Sequence, residues 1–277
     1  MVRLSADVSN PGYFLITVVL AAAMVVLSVS CGDESSSKFG YEEFFLVPVR
    51  AHLIQSRNIP QLSTKLRSKD VILLMEKVNE IYSQAGVHFY LESIWQEPAG
   101  SESILSGFKT GIPLNMYLFL RPEQSLDQNL VHLYYVHELP VNGLTILKGE
   151  GGVFINDSAR LVDVKGGTDD TLSRVTSHEL GHVLGMTHTV SSSNLMNEGT
   201  SGFQMDEVQV EVVRNHIQYL KNYSSTGSFF VDGNAKFMGG QEGKSKSYFE
   251  ILVSIAGESP IKYAAEEKLL EIEAIKN

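Results

Sequence analysis

The sequence predicts a mixed α/β domain built on one packed core, and three observations predict it. Apolar residues recur every three or four positions across residues 62–85, which is the period of a helix. Two later segments, 87–91 and 114–120, alternate apolar and polar side chains as strands do. A second helical segment carries three histidines and a glutamate at fixed spacing. With 277 residues, 43% of them hydrophobic, and Cys31 as the only cysteine, the chain must be held by a core and not by disulfides.

The elements follow in chain order. Residues 13–30 are apolar or small and carry no charge, with Arg3 before them and Cys31, Gly32, Asp33 and Glu34 after them. This reads as an export signal. Ser28 and Ser30 suit a cleavage site, and a cysteine directly after them resembles a bacterial lipoprotein signal, in which the thiol is lipidated and Cys31 becomes the mature N-terminus. Leu27 stands one position further from that cysteine than the usual leucine does. An ordinary cleaved signal and an uncleaved anchor are the alternatives, since the run of eighteen residues is close to the roughly 20 that span a bilayer. All three readings export the chain; the lipoprotein reading places it on the periplasmic or cell-surface face of a membrane. Residues 1–30 are then the signal peptide and 31–40 a polar, serine-rich tether.

Past the tether, Phe44, Phe45, Leu46 and Val47 begin an apolar run that predicts a first strand. Val71, Leu74, Val78, Ile81 and Ala85 share one face of the helix predicted over 62–85, and Gly86 is its stop. Strands follow at 87–91 and 114–120, and a further short strand at Gly152, Val153, Phe154 and Ile155. Thr168, Asp169 and Asp170 offer caps and negative charge to the next helix, and Asp206 to Gln209 resembles a capping box opening a helix that ends near Tyr219.

The chemistry is concentrated in residues 178–188. His178 and His182 are four apart, so they lie one above the other on a helix and can grip a single ion. Continued as a helix, the chain would carry His188 about 15 Å along the axis from His178, beyond the reach of one ion. Gly185 removes that difficulty, because a residue without Cβ can stop the helix in the left-handed conformation and turn His188 back. Three imidazoles with an open fourth position describe a catalytic zinc site rather than a structural one. Glu179 lies beside them as the general base for a water whose pKa the metal lowers to about 7. The residues therefore read as a site for metal-assisted hydrolysis, with no serine or cysteine nucleophile required.

The string His178-Glu179-x-x-His182-x-x-Gly185-x-x-His188, followed after eight residues by Met196, resembles the metzincin clan of zinc endopeptidases, with the short interval of its matrixin-like members. The resemblance covers roughly residues 41–223. It implies a twisted, mostly parallel sheet packed on the active-site helix, a closing helix, one catalytic zinc, and a protein or peptide substrate. It also implies that Met196 forms an apolar floor beneath the metal and that the strand of Gly152, Val153, Phe154 and Ile155 is the edge strand that pairs with substrate. Some members carry tyrosine two positions after the turn methionine and matrixins carry proline, whereas this chain has Glu198; a tyrosine switch at that position is excluded. No cysteine is placed to act as a propeptide switch. Some relatives hold a second zinc before the catalytic helix, where His132 and His137 fall; whether this chain binds a second zinc or calcium is left open.

The formal net charge of −10, without any run of lysine or arginine, disfavours nucleic acid as a partner. Membrane contact rests on the lipid anchor or the N-terminal segment. Residues 224–277 form an extension of unassigned role, with strands expected at 228–231 and 248–253 and a helix over 264–276. A non-catalytic surface protein that keeps the metal, or a hydrolase of a cell-wall amide, are the competing readings of the same site.

Overall fold

The computed structural model describes residues 38–105, 113–122, 126–127, 129–147, 151–255 and 257–275. The expected signal peptide, Cys31 and most of the tether lie outside the described residues. Among the described residues, no helix is long and apolar enough to cross a membrane.

Six strands make one sheet: β1 (Phe45–Gln55), β2 (Val87–Pro98), β3 (Val131–Val136), β4 (Gly143–Ile146), β5 (Gly152–Asn156) and the two-residue β6 (Ser224–Ser225). Their order is β2-β1-β3-β5-β4. Neighbours are parallel except β4, which runs antiparallel to β5, and β6 pairs antiparallel with the start of β1. The side-chain period of two splits β1 between two cores. Val47, Val49, Ala51 and Leu53 face the helices α1 (Ser68–Tyr82) and α2 (Thr171–Val183), with Val71, Leu74, Val78, Val175 and Leu180 across from them. Ile54 joins Tyr134 and Phe154 in a second cluster. The fold is thus a mostly parallel sheet packed on an active-site helix. Helix α3 (Glu207–Ile217) closes this body, opened by a capping box between Asp206 and Gln209.

Four sequence expectations need correction. Helix α1 begins at Ser68 and not at 62, because the preceding amides are taken elsewhere: Thr64 N–H bonds Ile54 O at 2.9 Å and Lys65 N–H bonds the Asp157 carboxylate at 2.6 Å. Residues 114–120 form a 3₁₀ helix and not a strand; Tyr117 and Leu120, three apart, are the buried pair. Gly152, Val153, Phe154 and Ile155 do form a strand, but an inner one held between β3 and β4, so the sheet edge is β4. The two strands expected in residues 224–277 are helices α4 (Thr226–Met238) and α5 (Glu242–Ser254), joined by α6 (Pro260–Ile275). Phe229, Phe249, Leu252 and Ile272 of these helices share a third apolar cluster with Tyr41, Phe44 and Leu46, and the Tyr41 hydroxyl donates to Leu252 O at 2.7 Å.

Candidate active site

The site grows from the two ends of α2. Asp170 caps its start, accepting from Ser173 N–H at 3.0 Å. At its other end Gly185 takes φ of +84°, and two backbone bonds close the helix: Gly185 N–H to His182 O at 3.1 Å and Met186 N–H to Gly181 O at 2.9 Å. This is a Schellman closure with glycine in the left-handed position. It carries His188 back over the helix, so that His188 Nε2 lies 3.2 Å from His178 Nε2 and 3.0 Å from His182 Nε2.

Each imidazole is oriented through its other nitrogen. His178 Nδ1 meets Leu195 O at 2.9 Å, His182 Nδ1 meets Met186 O at 3.0 Å, and His188 Nδ1 meets the Glu198 carboxylate at 3.1 Å. With every Nδ1 donating outward, the three Nε2 lone pairs point to one place, as metal ligands require. Burial holds His178 well below the usual imidazole range, to about 3, and lowers His182 as well, which keeps them in the neutral form that ligates. Three convergent neutral imidazole nitrogens form a donor set that fits zinc.

The methionine turn is fixed from α3. Asn194 Oδ1 accepts from Met196 N–H at 2.8 Å, and Asn194 exchanges side-chain bonds with Gln209, the same residue that closes the capping box of α3. Met196 is wholly buried under α2 at Gly181, where a Cβ would stand 2.6 Å from its sulfur.

Glu179 faces the edge strand. Thr145 of β4 donates its hydroxyl to Glu179 Oε2 at 2.7 Å, and Gly143 passes so close that a Cβ there would stand 2.5 Å from Glu179 Cγ and Oε1. Burial raises the Glu179 carboxyl to about 7, against the Thr145 hydrogen bond and the charge of Arg174, both of which pull it down. The strand, α2 and the turn line one cleft of about 760 Å³ that contains His178, Glu179, His182 and His188.

All five predicted motif positions and Met196 therefore come together. Val153, Phe154 and Ile155 do not line this cleft; the strand that does is β4, with Gly143, Leu144 and Thr145. Sequence reasoning missed Thr145, Gly143 and Arg174. Arg174 had a legible signal, since it stands four positions before His178 on the same helix face. Of the two histidines weighed for a second metal, His132 pairs with His52 Nε2 at 2.8 Å and with Asp127 O, while His137 pairs with Asp157 and Lys65. They do not converge. Among the described residues, His178, His182 and His188 form the one group of three side chains placed to share an ion.

A mostly parallel sheet over a histidine-bearing helix, with a carboxylate beside three convergent imidazoles, defines a zinc metalloendopeptidase. Residues 78–221, just over half of the chain, match the matrixin model of peptidase family M10, and the chain belongs to that family. Among solved structures, mirolysin in complex with compound 9 is similar at 12% identity and a TM-score of 0.43, over 65% of this chain and 99% of that one. Metalloproteinase-II from Bacteroides fragilis is similar at 12% identity and a TM-score of 0.38, over 65% of this chain and 55% of that one. No curated protein sequence matches.

Proposed function

We propose that His178, His182 and His188 hold the zinc, that Glu179 is the general base, and that the enzyme works outside the cytoplasm, tethered to a membrane through Cys31. The observation that carries the catalytic assignment is the convergence of the three Nε2 atoms with Glu179 adjacent. Zinc, when bound, supplies Lewis acidity that polarises the scissile carbonyl and acidifies water. Glu179 accepts the proton from the attacking water and returns it to the leaving amine. A carboxyl raised to about 7 suits both halves of that exchange, and the Thr145 hydroxyl holds the carboxylate in place.

Substrate binds as an added strand on β4. Among the described residues that strand pairs with β5 on one side only, and an unpaired edge accepts an extended peptide through backbone hydrogen bonds. Such pairing grips peptides of many sequences. Tethering rests on the apolar run 13–30 and on Cys31 directly after Ser28-Val29-Ser30.

Two measurements test this reading. Zinc-loaded protein should cleave a diverse peptide library, lose that activity to a chelator and regain it with zinc, while leaving cell-wall fragments intact; cleavage of wall fragments alone would replace the peptidase assignment. Mass spectrometry of the mature N-terminus should find a lipid on Cys31, and an unmodified or uncleaved terminus would remove the tether.

A further inference from the structure

Arg174 is 2% exposed, sits one turn before His178 on α2, and lines the same cleft as His178, Glu179 and the edge strand. A buried guanidinium is costly unless a carboxylate neutralises it. Among the described residues no carboxylate bonds to it directly, and the Glu179 carboxylate acts on it only through space. Its Nε donates to Gly202 O at 2.9 Å and its Nη2 to Asn197 O, both backbone carbonyls of the loop after the methionine turn. Those two bonds fix the planar fork in space. Nη1 has no hydrogen-bond partner among the described residues. The open space that Arg174 lines is the cleft.

The two carboxylates that line the cleft are engaged elsewhere, Glu179 with Thr145 and Glu198 with His188. Burial lowers the Arg174 guanidinium only to about 10, so it remains a cation at neutral pH. The site thus holds a rigid, charged donor with no carboxylate bonded to it, beside the place where a peptide bond is cut. Apolar walls from Val141, Leu161 and Val175 would pass an aliphatic stem down to it.

We propose that Arg174 makes this cleft select peptides with an aspartate or glutamate next to the scissile bond, the substrate carboxylate accepting hydrogen bonds from the guanidinium. This rests on the peptidase reading of the same cleft. Arginine suits the task better than lysine, because its fork is held by the loop carbonyls and meets a carboxylate in a fixed direction.

The test uses zinc-loaded enzyme and peptides acetylated at one end and amidated at the other, so that a carboxylate can come only from a side chain. Paired substrates differ only in Glu against Gln, or Asp against Asn, on either side of the cleaved bond. At one of these positions the acid should be preferred in kcat/KM by about tenfold to a hundredfold, the range of a charge-assisted hydrogen bond. Arg174→Met should bring that ratio to one or below, and Arg174→Lys should retain an acid preference. A variant that only loosened the loop would slow both members of a pair alike. If Arg174→Met fails to fold, the ratio in the wild-type enzyme decides. Cleavage with equal rates, or with the amide preferred, overturns the acid selectivity and leaves the peptidase standing. Zinc-loaded protein that cleaves no peptide overturns both.

Discussion

Gly185 decides whether the third histidine reaches the metal, and its replacement is the sharpest probe of the site short of removing a ligand. Gly185→Ala forces a Cβ into the left-handed region, at about 1–2 kcal/mol, and places it 2.7 Å from His216 Nδ1. The variant should bind zinc more weakly and melt lower than the wild type; titration against a chromogenic chelator and a thermal melt check both, and unchanged values would show that the turn is not what delivers His188. Thr145→Val removes the hydroxyl bonded to Glu179 and leaves the metal ligands alone. It should keep its zinc and lose roughly tenfold in kcat, as expected for one hydrogen bond to a charged group. The difference between these residues also marks the limit of what the sequence discloses. His178, Glu179, His182, Gly185 and His188 were legible because helical period and one glycine fix their relation within eleven residues. Thr145 arrives from a strand 34 positions away, and only the packing of β4 against α2 brings it to Glu179.

The three C-terminal helices are part of the same packed body as the catalytic sheet, not an independent appendage. Tyr41 and Phe44 just before β1 and Leu46 in it are 4%, 2% and 0% exposed, and Phe229, Phe249, Leu252 and Ile272 share their cluster. A chain ending at residue 223 bares that cluster next to β1, the strand between β2 and β3. It should aggregate or melt well below the full protein; a soluble truncated form with an unchanged melting temperature would contradict this. The sequence of these helices resembles strands for a definite reason. Runs such as 228–231 and 248–253 are short and apolar, and period alone does not separate a strand from one face of a helix at that length. The three- and four-residue spacing of Ser245, Phe249 and Leu252 becomes informative only once a partner surface is known, and that surface is about two hundred positions earlier in the chain. The segment 114–120 has the same ambiguity, its alternation matching a strand while the chain forms a 3₁₀ helix. The beginnings of the strands at 45–55 and 87–98, the stop at Gly86 and the capping box at Asp206 were legible, because each is encoded by its neighbours.

At the scale of the whole molecule, buried histidines set a lower limit on the pH the fold tolerates. Burial lowers both His52 and His88 to about 4, against an ordinary value of 6.5. The unfolded chain therefore binds more protons than the folded one between these values. Stability is complete above pH about 6.5 and falls as the pH drops towards 4, with each unit of depression worth about 1.4 kcal/mol. Melting temperature should decline across that window, and His88→Gln, which cannot take up a proton, should flatten the decline; equal slopes for the two proteins would remove His88 from the effect. The same sheet brings a carboxylate within reach of three convergent imidazoles, and hydrolysis turns on what that carboxylate does. The direct measurement compares purified wild type with Glu179→Ala for zinc content and for hydrolysis of an internally quenched peptide. Each protein should hold one zinc, and hydrolysis by the variant should fall about 10²- to 10⁴-fold. A variant that keeps its zinc and still cleaves at the wild-type rate would remove Glu179 as the general base.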